Sequence, residues 1–311
     1  MAFAVSASAL ATNSRNIFPL IQNVPGRELQ NLDGIWKYIL DLYELGYYNY
    51  RMNEDPNGWF RDAKARNPED LVEYNFDTAP SLYVPGDWNT QSEQLLNFEG
   101  NIWYRRKFEC SPEAGKRRFI HFDAVNYECQ VYLNGRKIGV HEGGFSPFNI
   151  EITDVVREGE NTLILKVDNR RRPDAVPTVN TDWHNYGGIT RSVNVITVPD
   201  VFIRDYFIQL KKGSSDVAAG WVQMDGAGNR SVTIEIPELK VKQTVNTDNT
   251  GYGTFEFKCK PTLWSPENPK LYVVRLTSDT DTVEDEVGLR TIETRGKEIY
   301  LNGKKLFCRG I

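Results

Sequence analysis

The chain has 311 residues, 40% of them hydrophobic, and a formal net charge of -5. That length holds two ordinary domains, and the mild acidity argues against nucleic acid, whose phosphates call for a strongly basic face. No apolar run is long enough to span a bilayer as a helix.

The four cysteines, Cys110, Cys129, Cys259 and Cys308, stand far apart without paired metal spacing. They read as buried or free thiols, and neither a metal nor another cofactor is implied. The first dozen residues are small and mildly apolar, and Ala7-Ser8-Ala9 has the shape of a signal-peptidase site. The positive flank is missing and the apolar core is short, so export and a cytoplasmic location both stay open.

Residues 1–30 read as an extended arm, polar and punctuated by Pro and Gly. Leu32-Asp33-Gly34-Ile35-Trp36-Lys37-Tyr38 begins the first strand, and residues 53–70 read as a long surface insertion. Short strands follow at 101–108, 118–123 and 129–134, the last with Cys129, Val131 and Leu133 on one face. Asn134-Gly135 is a two-residue hairpin turn, since a type I′ turn needs positive φ at both positions. Residues 136–140 return as the partner, and residues 161–168 alternate with Leu163, Leu165 and Val167 inward. Only residues 69–74 and 152–156 could form a short turn of helix. The pattern predicts an all-β sandwich over residues 31–198, longer than an immunoglobulin domain and suited to a jelly roll.

The composition shifts near Pro199. Strands are expected at 201–210, 220–225, 231–236, 254–260 and 270–276, with Phe255, Phe257 and Cys259 sharing one face. Residues 199–290 therefore read as an immunoglobulin-like sandwich. Residues 291–311 contain a hairpin around Asn302-Gly303.

The densest polar chemistry lies in Thr181-Asp182-Trp183-His184-Asn185-Tyr186-Gly187-Gly188-Ile189-Thr190-Arg191-Ser192-Val193, a loop running into a strand at 189–198. Asp182 can accept bonds from two hydroxyls, and Trp183 and Tyr186 offer flat faces to the C–H side of a sugar ring. The plain alternative is that Asp182 caps its own loop. Among the three histidines, His121, His141 and His184, the last stands out for its neighbours. The run Arg170-Arg171-Arg172 reads either as a solvated loop or as a contact for a carboxylated or sulfated glycan.

Several motifs in order resemble family 2 glycoside hydrolases, the β-galactosidase and β-glucuronidase group. They are Leu32-Asp33-Gly34-Ile35-Trp36, Val84-Pro85-Gly86-Asp87-Trp88-Asn89, Gly100-Asn101-Ile102-Trp103-Tyr104-Arg105-Arg106, Gly143-Gly144-Phe145-Ser146-Pro147-Phe148, the Asp182 loop, Leu263-Trp264-Ser265-Pro266-Glu267-Asn268-Pro269-Lys270-Leu271-Tyr272 and Val287-Gly288-Leu289-Arg290. Each is weak alone, but the full ordered set is specific. The resemblance implies that Asp182, with Trp183 and His184 beside it, reaches a sugar bound in a following (β/α)₈ barrel. It also implies a retaining exo-β-glycosidase whose two catalytic glutamates, about 5 Å apart, lie on that barrel. Cys308-Arg309-Gly310-Ile311 is similar to the start of its first strand, so the barrel is expected to be absent from these residues. No catalytic residue is assigned, and residues 1–311 alone are expected to be inactive. The expected partners are a carbohydrate substrate and the barrel, with a homo-oligomer left open. The alternatives are a stand-alone carbohydrate-binding module and a structural or adhesion protein.

Overall fold

The computed structural model describes residues 19–48, 51–54 and 75–308. The leader-like dozen, nearly all of the 53–70 insertion, the helical turn at 69–74 and the last three residues lie outside them.

Twelve strands build the first part: β1 (Glu28–Asn31), β2 (Gly34–Asp41), β3 (Ser81–Val84), β4 (Gly86–Asp87), β5 (Asn101–Glu109), β6 (Lys116–Phe122), β7 (Glu128–Leu133), β8 (Arg136–Glu142), β9 (Phe148–Glu151), β10 (Glu160–Asp168), β11 (Gly188–Ile189) and β12 (Val193–Pro199). They form a four-stranded sheet, β1-β12-β6-β9, and a six-stranded sheet, β3-β2-β5-β10-β7-β8, with β4 and β11 as a separate pair. Both larger sheets send side chains into one core, Ile120, Phe122, Val193 and Val195 from one and Ile102, Tyr104, Val131 and Leu165 from the other. The alternation is as expected. Cys129, Val131 and Leu133 face this core with Leu163, Leu165 and Val167, because the register pairs Leu163 with Leu133 and Leu165 with Val131. Asn134 and Gly135 both take positive φ, 52° and 81°, as the type I′ turn requires.

Two local readings change. Residues 28–31 are not free arm; they pair with β12 as an edge strand. All four are exposed, so no alternation marks them. The strand expected at 189–198 is broken into β11 and β12, because Gly188 and Ile189 turn aside to pair with Asp87 and Gly86.

Seven more strands follow: β13 (Phe202–Leu210), β14 (Val217–Asp225), β15 (Ser231–Ile236), β16 (Val241–Asn246), β17 (Tyr252–Lys258), β18 (Tyr272–Thr277) and β19 (Thr282–Val287). They make a three-stranded sheet, β13-β14-β17, facing a four-stranded one, β16-β15-β18-β19, the strand division of a small immunoglobulin-type sandwich. Ile203, Val222, Phe255, Ile234, Val274 and Leu276 meet in its core. The terminal sheet is β20 (Ile292–Arg295), β21 (Glu298–Leu301) and β22 (Lys304–Leu306), and Asn302 ties it back by donating to the Trp264 carbonyl at 2.9 Å. Among the described residues there is no α-helix, only three short 3-10 turns.

The N-terminal segment fastens the two sandwiches. Ile21 packs with Phe119, Ile196, Val198 and Phe202. Its backbone N–H donates to Asn149 at 3.1 Å, and the carbonyl of Pro19 accepts from Arg204 at 2.7 Å. Arg27 reaches Asp281 at 2.8 Å.

Candidate functional site: the Asp182 loop

The loop leaves β10 at Asp168 and ends at β11, which pairs with β4. Its base is a buried frame of asparagines. Asn169 and Asn185 bond each other reciprocally, each amide donating to the other's backbone carbonyl, and the Asn169 side-chain oxygen accepts from the Gly100 N–H at 2.9 Å. Asn126 donates to the Tyr186 carbonyl at 2.5 Å. Asn89 accepts from the Gly187 N–H at 2.9 Å while its own amide donates to the carbonyls of Leu95, Leu96 and Phe98. Such groups are costly to bury unpaired, so a satisfied network of them fixes a backbone path.

The glycines follow from the same frame. A Cβ on Gly187 would lie 2.1 Å from the Trp88 ring, and one on Gly144 would lie 2.0 Å from the Asn126 side-chain oxygen. Gly188 has φ +136° and lies against the Gly86 carbonyl. Thus motifs far apart in sequence, around Trp88-Asn89, Gly100, Gly143-Gly144 and Gly187-Gly188, meet at one place.

Above this base the loop is exposed. Asp182, Trp183 and His184 all face solvent, Trp183 being 74% exposed. The His184 ring leans on Tyr186, with centroids 4.5 Å apart. No hydrogen bond or ion pair ties the Asp182 carboxylate to the described residues, so it does not cap its own loop. Its neighbours are held instead: Arg171 donates to the Thr181 carbonyl at 2.5 Å and to the Trp183 carbonyl at 2.7 Å, and is itself anchored on Glu99 at 2.8 Å.

The arginine run lies on a partly exposed loop, and each guanidinium is engaged by a carboxylate. Arg170 pairs with Asp168 at 2.6 Å and also with Glu44, Arg171 with Glu99 at 2.8 Å, and Arg172 with Glu128 at 2.6 Å. Burial alone would raise the Asp168 carboxyl, but its bonds from Arg170 hold it below the usual carboxylate range. The other two histidines are structural. His121 is buried beside Asp123 at 3.0 Å, and His141 stacks on Phe148 with centroids 4.0 Å apart. Burial lowers the pKa of both. Among the described residues no group of three or more His, Cys, Asp or Glu is placed to hold a metal ion.

Asn126 and Asn169 were not legible as site residues, and Arg171 was legible as a possible anion contact but not as the clamp on the loop backbone. A lone Asn between strands is an ordinary loop residue, and only the fold shows that two of them frame the same turn.

The model for "Glycosyl hydrolases family 2, sugar binding domain" matches residues 29–199, and that for "Glycosyl hydrolases family 2" matches residues 201–290. The chain belongs to glycosyl hydrolase family 2. It is 30% identical over 240 residues to a beta-galactosidase of Thermoanaerobacter pseudethanolicus, covering 67% of this chain and 31% of that one. It is 26% identical over 345 residues to the beta-glucuronidase of Rattus norvegicus, covering 97% of this chain and 50% of the other. Among solved structures, Bifidobacterium dentium beta-glucuronidase complexed with coumarin-3-O-glucuronide superposes with a TM-score of 0.73 at 25% identity, over 93% of this chain and 52% of that one. This family 2 chain thus spans about a third to a half of the length of these relatives. Its asparagine-framed turn lies wholly within the matched sugar-binding region.

Proposed function

We propose that these residues are the non-catalytic, substrate-positioning part of a retaining exo-β-glycosidase, β-glucuronidase-like or β-galactosidase-like. In this reading residues 31–198 and 199–290 are two successive domains, and residues 291–311 lead into a catalytic barrel. Asp182 projects from its held loop into the barrel's active site and accepts bonds from hydroxyls of the terminal sugar, while Trp183 and His184 border that sugar. The nucleophile and the acid/base are carboxyl groups of the barrel, about 5–5.5 Å apart. What supports this is the Asp182 loop itself: its base is rigidly framed, Arg171 holds the carbonyls on both sides, and the carboxylate is left without a partner in the described residues. A loop that only had to close a sandwich would not need an exposed Asp-Trp-His tip on so heavily bonded a base.

The test is release of nitrophenol from aryl β-glucuronides and β-galactosides. The 311-residue chain alone should release none, and the same residues joined to a catalytic barrel should turn over one of the two. Turnover by the 311-residue chain would overturn the division of labour. Binding of a monosaccharide to the isolated chain that is lost in Asp182→Ala would favour the stand-alone carbohydrate-binding module.

A further inference from the structure

The outer face of the six-stranded sheet carries a cleft of about 440 Å³. Strand periodicity explains its floor. Because Cys129, Val131, Leu165 and Val167 face the core, Glu128, Gln130, Lys166 and Asp168 face outward, and the register sets Lys166 beside Gln130 and Asp168 beside Glu128. The walls come from Tyr47, Tyr48 and Glu54 on one side and the 170–172 arginine run on the other.

The charges of this cleft are nearly all satisfied internally. Arg170 and Arg172 take Asp168 and Glu128, Arg171 takes Glu99, and Glu54 accepts from the hydroxyls of Tyr47 and Tyr48 at 2.9 and 3.2 Å. Lys166 is the exception. It is 6% exposed and lines the cleft, and among the described residues it has no carboxylate partner or hydrogen bond; its ammonium lies 4.6 Å from the Tyr47 ring centroid. The aliphatic stem is covered while the ammonium opens on the cleft, with the Tyr47 ring beside it and the Asp168 charge at longer range, and it has three donors to offer a polar guest.

We propose that this cleft is a second saccharide subsite, adjoining the Asp182 loop through Arg171 and taking a neutral, unsubstituted sugar unit. Its lining sets four carboxylates (Glu44, Glu54, Glu128 and Asp168) against four cations, Lys166 and the arginine run. An anion would meet as much repulsion as attraction there. A polyol meets what it needs: Lys166 and Gln130 donate, carboxylate lone pairs accept, and the tyrosine rings cover a C–H face. The volume falls in the range of small-ligand sites, about 300–1,000 Å³. The proposal does not depend on what Asp182 does.

The test is titration of the 311-residue chain, followed by backbone NMR shifts, with β-linked tetramers of glucose, galactose, xylose and mannose up to about 10 mM. At least one should bind, moving the signals of Gln130, Lys166 and Asp168, and Lys166→Met should weaken it about tenfold or more. Glu54→Gln, at an exposed position where the amide oxygen still accepts from one tyrosine hydroxyl and the amide nitrogen can donate to the other, should weaken it as well and decides the matter if Lys166→Met does not fold. The idea is overturned if none of the four binds, or if tetragalacturonate binds more tightly than every neutral tetramer. It is equally overturned if binding is lost in Asp182→Ala but kept in Lys166→Met and Glu54→Gln, which would put the sugar in the loop.

Discussion

Arg171 donates to the carbonyl of Trp183 at 2.7 Å, and through its other terminal nitrogen to that of Thr181, so one guanidinium grips the backbone on both sides of Asp182. A planar fork suits two carbonyls, whereas an ammonium is a single point. Arg171→Gln should leave the sandwich folded and loosen the loop. Backbone NMR order parameters at 182–184 should then fall, with those of β10 unchanged. Arg171→Lys should fall between the two. Order parameters that are the same in all three proteins would show that the grip does not order the loop.

The seam between the sandwiches turns on Asp225. Arg117 donates to one of its carboxylate oxygens at 2.5 Å and Arg204 to the other, and both guanidiniums lie over the rings of Phe119 and Phe202. Burial pushes the Asp225 carboxyl up, but the two arginines outweigh it and its pKa is lowered. Glu151 is lowered too, chiefly by its bond from Arg117. A carboxyl depressed in the folded state stabilises above its unfolded pKa, and that contribution is lost as pH falls through the folded value. Asp225→Asn should therefore cost about 2–4 kcal/mol at neutral pH, and the gap to the parent should narrow below about pH 4. Chemical denaturation across that range measures it, and a gap independent of pH would contradict the assignment.

Gly187→Ala places a methyl group where the Trp88 ring stands, 2.1 Å from its nearest carbon. Trp88 is fully buried and accepts the loop by donating its backbone N–H to Gly187 at 2.9 Å. Neither side can yield easily, so the substitution should cost about 1–3 kcal/mol. Ser or Thr there should do no better. A denaturation midpoint equal to the parent's would show that the ring has room to move.

Most of the architecture could be read from the residues, because buried strands announce themselves by alternation and turns by Asn-Gly. Val131 and Leu165 were assigned to the core from spacing alone, and both are fully buried. Strands without that signal leave little trace in the sequence. In Val241–Asn246 every second side chain is only half-covered and one of those is Gln243, and Thr282–Val287 is rich in acidic residues. The tip of the loop was legible from residue type. Its supports were not, since what makes Asn126 and Asn169 matter is a meeting of turns 43 positions apart, which only the three-dimensional path reveals. The arginine run shows the converse. Its chemistry was visible, but its partners, Glu99 and Glu128, come from other elements and take up the charge.

The central claim is that the Asp182 carboxylate contacts the sugar on which a barrel acts. The direct measurement is kcat/KM of Asp182→Ala, in these residues joined to a catalytic barrel, with an aryl β-glycoside that the parent hydrolyses. The account predicts a fall of about tenfold to a thousandfold with an unchanged melting temperature, since an exposed side chain with no partner among the described residues holds nothing in their fold. An unchanged kcat/KM would contradict it and leave the loop a structural element of the sandwich.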